Sequence, residues 1–133
     1  MALIRANTSG GGSGVSTGSF DLYGQDATKT FTTVPNLKHL SIKGTSKALS
    51  DIHYFIEFDA DYSISQNGRY FIHTEYQTST SYTYWKNLND APADSYSSYL
   101  ISVNTTTGEV TLHNPSNAGA NWINNHFEWE AYS

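Results

Sequence analysis

The segment from Thr78 to Tyr99 contains the residue types that recognition surfaces use. Tyrosine and tryptophan supply flat rings, while asparagine and aspartate supply adaptable hydrogen bonds. Sugars require that combination, because a ring packs against their C–H surface while amides and carboxylates bind their hydroxyls. The candidate ligand-binding residues are Tyr82, Tyr84, Trp85, Asn87, Asn89, Asp90 and Tyr96.

The same aromatic residues have a structural interpretation. Tyr82 and Tyr84 alternate along the chain, so both can pack on one face of a strand while Trp85 closes the rim of the fold. Trp122, after the loop 114–121, has the same two interpretations. The sequence leaves binding and packing open at both places.

Histidine and acidic residues are present, but their spacing does not favour a metal site. No two histidines form a His-x-His or His-x-x-x-His pair, so we expect solvated sheet positions, no metal and no cofactor. A calcium site at Asp90 and Asp94 remains an alternative. The five histidines are His39, His53, His73, His113 and His126.

Catalytic arrangements are equally weak. Glu128 and Glu130 lie two residues apart, as neighbouring carboxylates on one strand face, but nothing indicates an apolar pocket around them. No serine lies in a Gly-x-Ser-x-Gly motif, and only 14% of the residues are charged. We therefore expect that the protein is not an enzyme.

Composition narrows the classes of partner. The net charge of -5 argues against a surface that follows phosphates, so no nucleic acid is expected. No run approaches the ~20 apolar residues of a membrane-spanning helix. The absence of cysteine excludes disulfides and thiolate zinc sites. Residues 1–6 lack the apolar core of a secretory signal, so synthesis in the cytoplasm without a signal peptide is expected.

Hydrophobic alternation indicates strands throughout residues 19–133. The clearest strand has Ile52, Tyr54, Ile56 and Phe58 on one face, and the last has Phe127, Trp129 and Ala131. Eight or nine such strands predict an all-β antiparallel sandwich, jelly-roll-like, because a single sheet would leave its aromatic face wet.

Two turns predict the registers of their hairpins. A three-residue turn ending at Gly68 would pair Ile64 with Tyr70, Tyr62 with Ile72 and Phe58 with Tyr76. Asp61 would then lie opposite His73, and Asp59 opposite Glu75.

The second turn, Thr105–Gly108, would pair Val103 with Val110 and Ile101 with Leu112. Asn104 would cap it through its side chain, and Gly108 would have a positive φ.

Residues 1–18 form the predicted N-terminal arm, separate from the domain at 19–133. Residues 7–18 include five glycines, which favours a flexible linker. The apolar pair Leu3 and Ile4 precedes it. This pattern is typical either of a frayed terminus or of an anchor in which residues 2–6 add a strand to another protein.

The layout resembles small structural proteins of tailed bacteriophages. The resemblance lies in the opening residues 1–5 before a Ser/Gly tract, the cysteine-free β-domain, the hairpin at residues 106–110 and the aromatic final strand. It implies a non-enzymatic virion accessory protein, a head decoration or a tail fibre or baseplate adhesin. Such a protein would bind other virion proteins through its arm, form homo-oligomers and bind host glycans. The alternative is a free or secreted lectin-like carbohydrate-binding module.

Overall fold

The computed structural model describes residues 14–60, 69–76, 80–89, 97–116 and 119–133, with backbone alone at residues 69, 76 and 80–86. Within these ranges the chain forms nine β-strands and one short helix, so the expected all-β class is confirmed. The elements are β1 (Val15–Tyr23), β2 (Thr28–Thr32), β3 (His39–Ser46), β4 (Ile52–Asp59), β5 (Arg69–Tyr76), β6 (Thr80–Asn87), β7 (Tyr99–Val103), β8 (Glu109–His113), α1 (Ala120–Ile123) and β9 (Asn124–Tyr132).

The strands form two antiparallel sheets. The larger sheet has the order β1-β9-β3-β4-β5-β6, and the smaller has the order β2-β8-β7. β1 pairs with β9 while β2 pairs with β8, so the first and last parts of the chain run side by side through both sheets. This is the jelly-roll-like feature. β4, β5 and β6 instead extend the larger sheet as a meander.

The core lies between the two sheets and follows the predicted alternation. Ile52, Tyr54, Ile56 and Phe58 are all buried on the inward face of β4. Leu100, Val110 and Leu112 are buried on the smaller sheet. Val, Ile, Tyr and Phe favour such half-buried pleated surfaces, so local preference and burial agree.

A row of aromatic rings crosses the core beside β9. Phe31 lies 5.4 Å from Trp129 and 4.9 Å from Phe20, measured between ring centroids. Phe20 lies 5.6 Å from Phe127, which lies 6.2 Å from Tyr54. These centroid separations are typical of aromatic pairs that pack against each other in protein cores.

Two glycines make room for these rings. Gly18 is paired with Trp129 and Gly44 with Phe127 in the strands on either side of β9. A Cβ atom would lie 2.6 Å from a Trp129 ring carbon at Gly18 and 2.4 Å from a Phe127 ring carbon at Gly44. Both positions therefore exclude larger residues in this packing.

A buried asparagine ties the two sheets together at one end. The Asn114 side-chain amide donates hydrogen bonds to the carbonyl oxygens of Leu22, Gly24 and Ile123. Its oxygen accepts one from the Ser98 hydroxyl at 2.7 Å. Because its polar atoms are paired, burying this amide avoids the penalty of an unsatisfied group.

The turn between β7 and β8 follows the sequence prediction. Asn104 Oδ1 accepts hydrogen bonds from the backbone N–H groups of Thr106 and Thr107, at 3.0 and 3.1 Å. Gly108 has φ +83°, and a Cβ there would lie 2.2 Å from the Val34 carbonyl oxygen. The predicted cap and the positive φ are confirmed.

The register of this hairpin is right at one end and wrong at the other. Val103 pairs with Val110 as predicted, but Leu112 pairs with Leu100 and not with Ile101. A register irregularity between Leu100 and Ser102 leaves Ile101 outside the ladder. Leu100 is thereby fully buried, and local turn chemistry cannot reveal this.

The predicted register of β4 and β5 is also wrong. Ile72 pairs with Ile56 instead of Tyr62, and His73 lies opposite Phe55 instead of Asp61. Glu75 lies opposite His53, and the ladder ends at Glu57. A shift by an even number of residues keeps the same face inward, so alternation alone cannot choose among these registers. The turn expected at Gly68 lies outside the described residues.

The predicted linker ends too late in the sequence. β1 begins at Val15, so residues 15–18 belong to the sandwich, where Val15 pairs with Tyr132. These residues are held by the backbone pairing with β9 and by the contact between Gly18 and Trp129. The anchor residues Leu3 and Ile4 lie outside the described ranges. In those ranges no helix has the length and apolarity to cross a membrane.

Candidate functional site

The edge strand β6 carries four of the predicted ligand-binding residues and divides them between its two faces. Tyr82 and Tyr84 occupy register positions opposite Thr74 and Ile72, which are buried on the inward face. The position of Trp85 is opposite Phe71, on the outward face of the larger sheet. The register therefore favours packing positions for the two tyrosines and a surface position for Trp85.

Asn87 and Asn89 follow Trp85 along the chain, at the end of β6 and just beyond it. Asn87 follows Trp85 by two residues, on the same face, and is exposed. Asn89 is also exposed and has φ +62°, a conformation that asparagine tolerates better than most residues. Its N–H donates to the Leu100 carbonyl at 2.9 Å, which fixes this turn against β7. Asp90 and Tyr96 lie outside the described residues.

The outward face beside β6 carries two aromatic residues that the sequence interpretation missed. Phe55 and Phe71 lie among polar neighbours on β4 and β5, and both are only partly buried. The Phe55 ring lies 5.7 Å from the His73 ring, centroid to centroid. The sequence could have indicated Phe55 as a surface ring, since it lies between His53 and Glu57 on the polar face of an otherwise regular strand.

The carboxylate of Glu57 lies on the same face of the sheet as these rings. Glu57 is paired with Phe71 across β4 and β5. The Ser41 hydroxyl donates to Glu57 Oε2 at 2.7 Å, and His39 Nε2 lies 2.9 Å from Glu57 Oε1. Both partners lie on β3, and they hold the Glu57 carboxylate on the outward face of the sheet. A hydrogen-bond acceptor and aromatic rings on the same face are what a sugar can use together, through its hydroxyls and its C–H surface. We refer to Phe55, Glu57, Phe71 and the position of Trp85 as the outward aromatic patch.

A groove of about 460 Å³ continues the outward face toward β1. Its volume is in the range of small-ligand sites. Lys43, Glu128 and Glu130 contribute charged groups, and short hydroxyl side chains also line it. Glu128 and Glu130 thus lie on one face of β9, as the sequence predicted, in an open polar groove. The remaining lining residues are Thr17, Gly18, Ser19, Ser41 and Trp129.

Four histidines lie beside carboxylates. His126 Nδ1 lies 2.7 Å from Asp21 Oδ1, and this hydrogen bond holds the pKa of Asp21 below its usual range. His39 lies beside Glu57 and Asp59, His73 beside Glu75, and His113 beside Asp26. In the described ranges no three or more His, Asp or Glu side chains are grouped so as to hold a metal ion.

Comparison with known proteins returned no match: no family model, no curated protein and no solved structure matches this chain. The outward aromatic patch and the groove are therefore interpreted from their own chemistry.

Proposed function

We propose that the protein is a non-enzymatic accessory protein of a bacteriophage virion, a decoration or a fibre-type adhesin. An N-terminal arm attaches it to the particle, and the outward aromatic patch binds host-surface glycans. The observation that carries the proposal is the distance between the strand that follows the arm and the strand that carries the patch. Residues 1–13 precede β1 in the sequence, whereas Trp85 and Asn87 lie on β6.

These two strands are the opposite edges of the six-stranded sheet. Five inter-strand spacings separate them, which is about 24 Å. A protein attached at the β1 edge can therefore present the β6 edge away from its attachment. This arrangement is what the bacteriophage resemblance implies for a surface-exposed adhesin.

The chemistry of the patch supports a glycan as ligand. Phe55 and Phe71 offer partly exposed rings, and Glu57, which is paired with Phe71, offers a carboxylate acceptor held by two partners. An open face of this kind binds a single sugar weakly, with a Kd of about 1 mM, or ~4 kcal/mol. Useful adhesion then requires several copies, which a particle supplies.

The anchor can be tested with substitutions that leave the sandwich intact. We expect Leu3→Asp and Ile4→Asp to abolish incorporation into particles, because a charge opposes docking of an apolar segment, while the melting temperature stays unchanged. Ser9→Asp is the matched control, since it adds the same charge to the arm without changing the apolar pair. A fall of several degrees in melting temperature would place Leu3 and Ile4 in the domain core and contradict the anchor.

Glycan binding is tested at Trp85, with a glycan array followed by titration. Trp85→Ala should weaken binding by about 1–3 kcal/mol because it removes a stacking ring, and Trp85→Phe should retain most of the binding. Both variants should unfold at the temperature of the original protein. Full binding by Trp85→Ala would exclude the patch from recognition and leave a decoration protein.

A lectin-like module that acts without a particle is the second candidate. It is favoured by the ring-and-carboxylate arrangement of the patch, which needs no arm. Mass spectrometry of purified particles separates the two functions. The virion proposal requires the protein at a fixed copy number per particle, and the free module requires its absence from washed particles.

A further inference from the structure

The open edge of β1 has the properties of a pairing surface. β1 is nine residues long, and within the described ranges only β9 pairs with it. It contains no proline and no lysine, its ladder with β9 is unbroken, and Asp21 is its one charged residue. Sheet edges are ordinarily protected by such charges, prolines or bulges. β1 is therefore open to the addition of another strand.

The backbone hydrogen bonds at both ends of β1 show which groups face this edge. The Ser133 N–H donates to the Gly14 carbonyl at 2.9 Å, and the Gly24 N–H donates to the Ile123 carbonyl at 2.9 Å. Both bonds belong to even-numbered positions on the β1 side. Because bonded and non-bonded pairs alternate in an antiparallel ladder, odd-numbered residues direct their N–H and C=O groups away from β9. These are Val15, Thr17, Ser19, Asp21 and Tyr23.

The side chains on this edge are arranged symmetrically about Ser19. Val15 is 52% exposed and Tyr23 is 51% exposed, and they are the exposed large hydrophobic residues of the described chain. Each lies four residues from Ser19, on the same outward face. A two-fold interface requires such self-complementarity, because each residue must find its counterpart on an identical surface.

We propose that β1 pairs antiparallel with β1 of a second copy about a two-fold axis through Ser19. Val15 then lies opposite the partner's Tyr23, and Thr17 lies opposite the partner's Asp21. The five odd-numbered residues of each copy form about ten backbone hydrogen bonds across the axis. Two six-stranded sheets become one sheet of twelve strands.

The same register keeps like charges apart. Each Asp21 lies opposite a threonine hydroxyl, and the two aspartates are about 13 Å apart along the strands. Other registers that pair odd-numbered residues overlap fewer of them, and they leave Val15 or Tyr23 without an apolar counterpart. The pairing depends on β1 alone and does not rest on the virion or glycan proposals.

Charges introduced at residue 19, on the two-fold axis, test the pairing. We expect the full chain to be a dimer by sedimentation velocity and light scattering over a wide range of concentration. Ser19→Lys and Ser19→Glu should each raise the dimer Kd about tenfold or more, because like charges then face each other across the axis. An equimolar mixture of the two variants should dimerise again, since unlike charges then face each other. Ser102→Lys, at an exposed serine of β7, is the matched control and should leave the Kd unchanged.

A second variant addresses the apolar contacts. Tyr23→Ala removes two symmetric contacts per dimer and should weaken it without changing the melting temperature of the diluted protein. A monomeric original protein would overturn the proposal, and protected Thr17 and Ser19 amides in that monomer would assign the edge to residues 1–13. A dimer that tolerates both charges at residue 19, or a mixture that does not reassociate, would also overturn it.

Discussion

Gly18 and Gly44 solve the same packing problem in two different parts of the sheet. Each lies directly beside an aromatic residue of β9, Trp129 in one case and Phe127 in the other. Gly18 belongs to the edge strand β1, and Trp129 is only partly buried. Gly44 belongs to the central strand β3, and Phe127 is fully buried. The comparison indicates that the edge can adjust to a change that the centre cannot.

The largest expected effect is that of Gly44→Ala. The added Cβ would meet Phe127 at 2.4 Å and Tyr54 at 3.0 Å, and both rings are fully enclosed. We expect the free energy of unfolding to fall by about 3 kcal/mol, measured by urea denaturation.

Two further variants make this test specific. Combining Gly44→Ala with Phe127→Leu should cost less than the sum of the single changes, because the smaller side chain relieves the clash. Gly119→Ala is the matched control, since nothing lies within 4 Å of its Cβ position and its φ is -78°. Additive single changes would show that the ring contact is not the cause.

Gly18→Ala should cost about 1 kcal/mol by the same measurement. The Cβ would lie 2.6 Å from the Trp129 ring, yet that side chain borders solvent and can move outward. Trp129 fluorescence should shift as the ring becomes more exposed. A loss equal to that of Gly44→Ala would mean that the edge is as rigid as the centre.

The centre of the sheet should also respond to alkaline pH. Burial raises the pKa of the Tyr54 phenol well above its usual range, and it outweighs the opposite effect of the nearby Asn125 side chain. Among the described residues, the Tyr54 hydroxyl makes no hydrogen bond of ordinary geometry. Because the pKa is higher in the folded protein than in the unfolded chain, the neutral phenol contributes to the free energy of unfolding. This contribution is complete below about pH 10 and is lost as the pH rises further. Tyr54→Phe should stabilise the fold by about 1 kcal/mol at pH 7 and reduce this alkaline loss, measured by thermal unfolding. Destabilisation would show that the hydroxyl is satisfied.

The smallest effect should come from the edge at acidic pH. His126 holds the pKa of Asp21 below its ordinary value of 3.8, so the contribution of this carboxylate is present above that pH and lost as the pH falls through the lowered pKa. His126→Gln should move the Asp21 titration, followed by carboxyl carbon NMR, toward the ordinary value. An unchanged midpoint would show that another group holds the carboxylate.

The sequence predicted the fold class and the β7–β8 turn because both depend on local patterns. Period-two alternation determined the inward residues of β4, and Asn104 with Gly108 specified a turn by its own chemistry. The β4–β5 register could not be predicted, since shifts by an even number of residues preserve the same alternation. Phe55 was missed because the inward face of its strand dominates the pattern. Its value as a surface ring depends on Phe71 and Glu57, which only the register brings beside it.

The pairing of Gly14 with Ser133 has a mechanical consequence. These two residues are hydrogen-bonded to each other, at the start of β1 and the end of β9. Force that pulls Gly14 and Ser133 apart loads one residue pair of β1 and β9 at a time, so the hydrogen bonds break in sequence. Force along the axis of β1 loads all nine residue pairs together, and they resist in shear. The direction of pull, more than the number of bonds, therefore determines the load that the domain withstands.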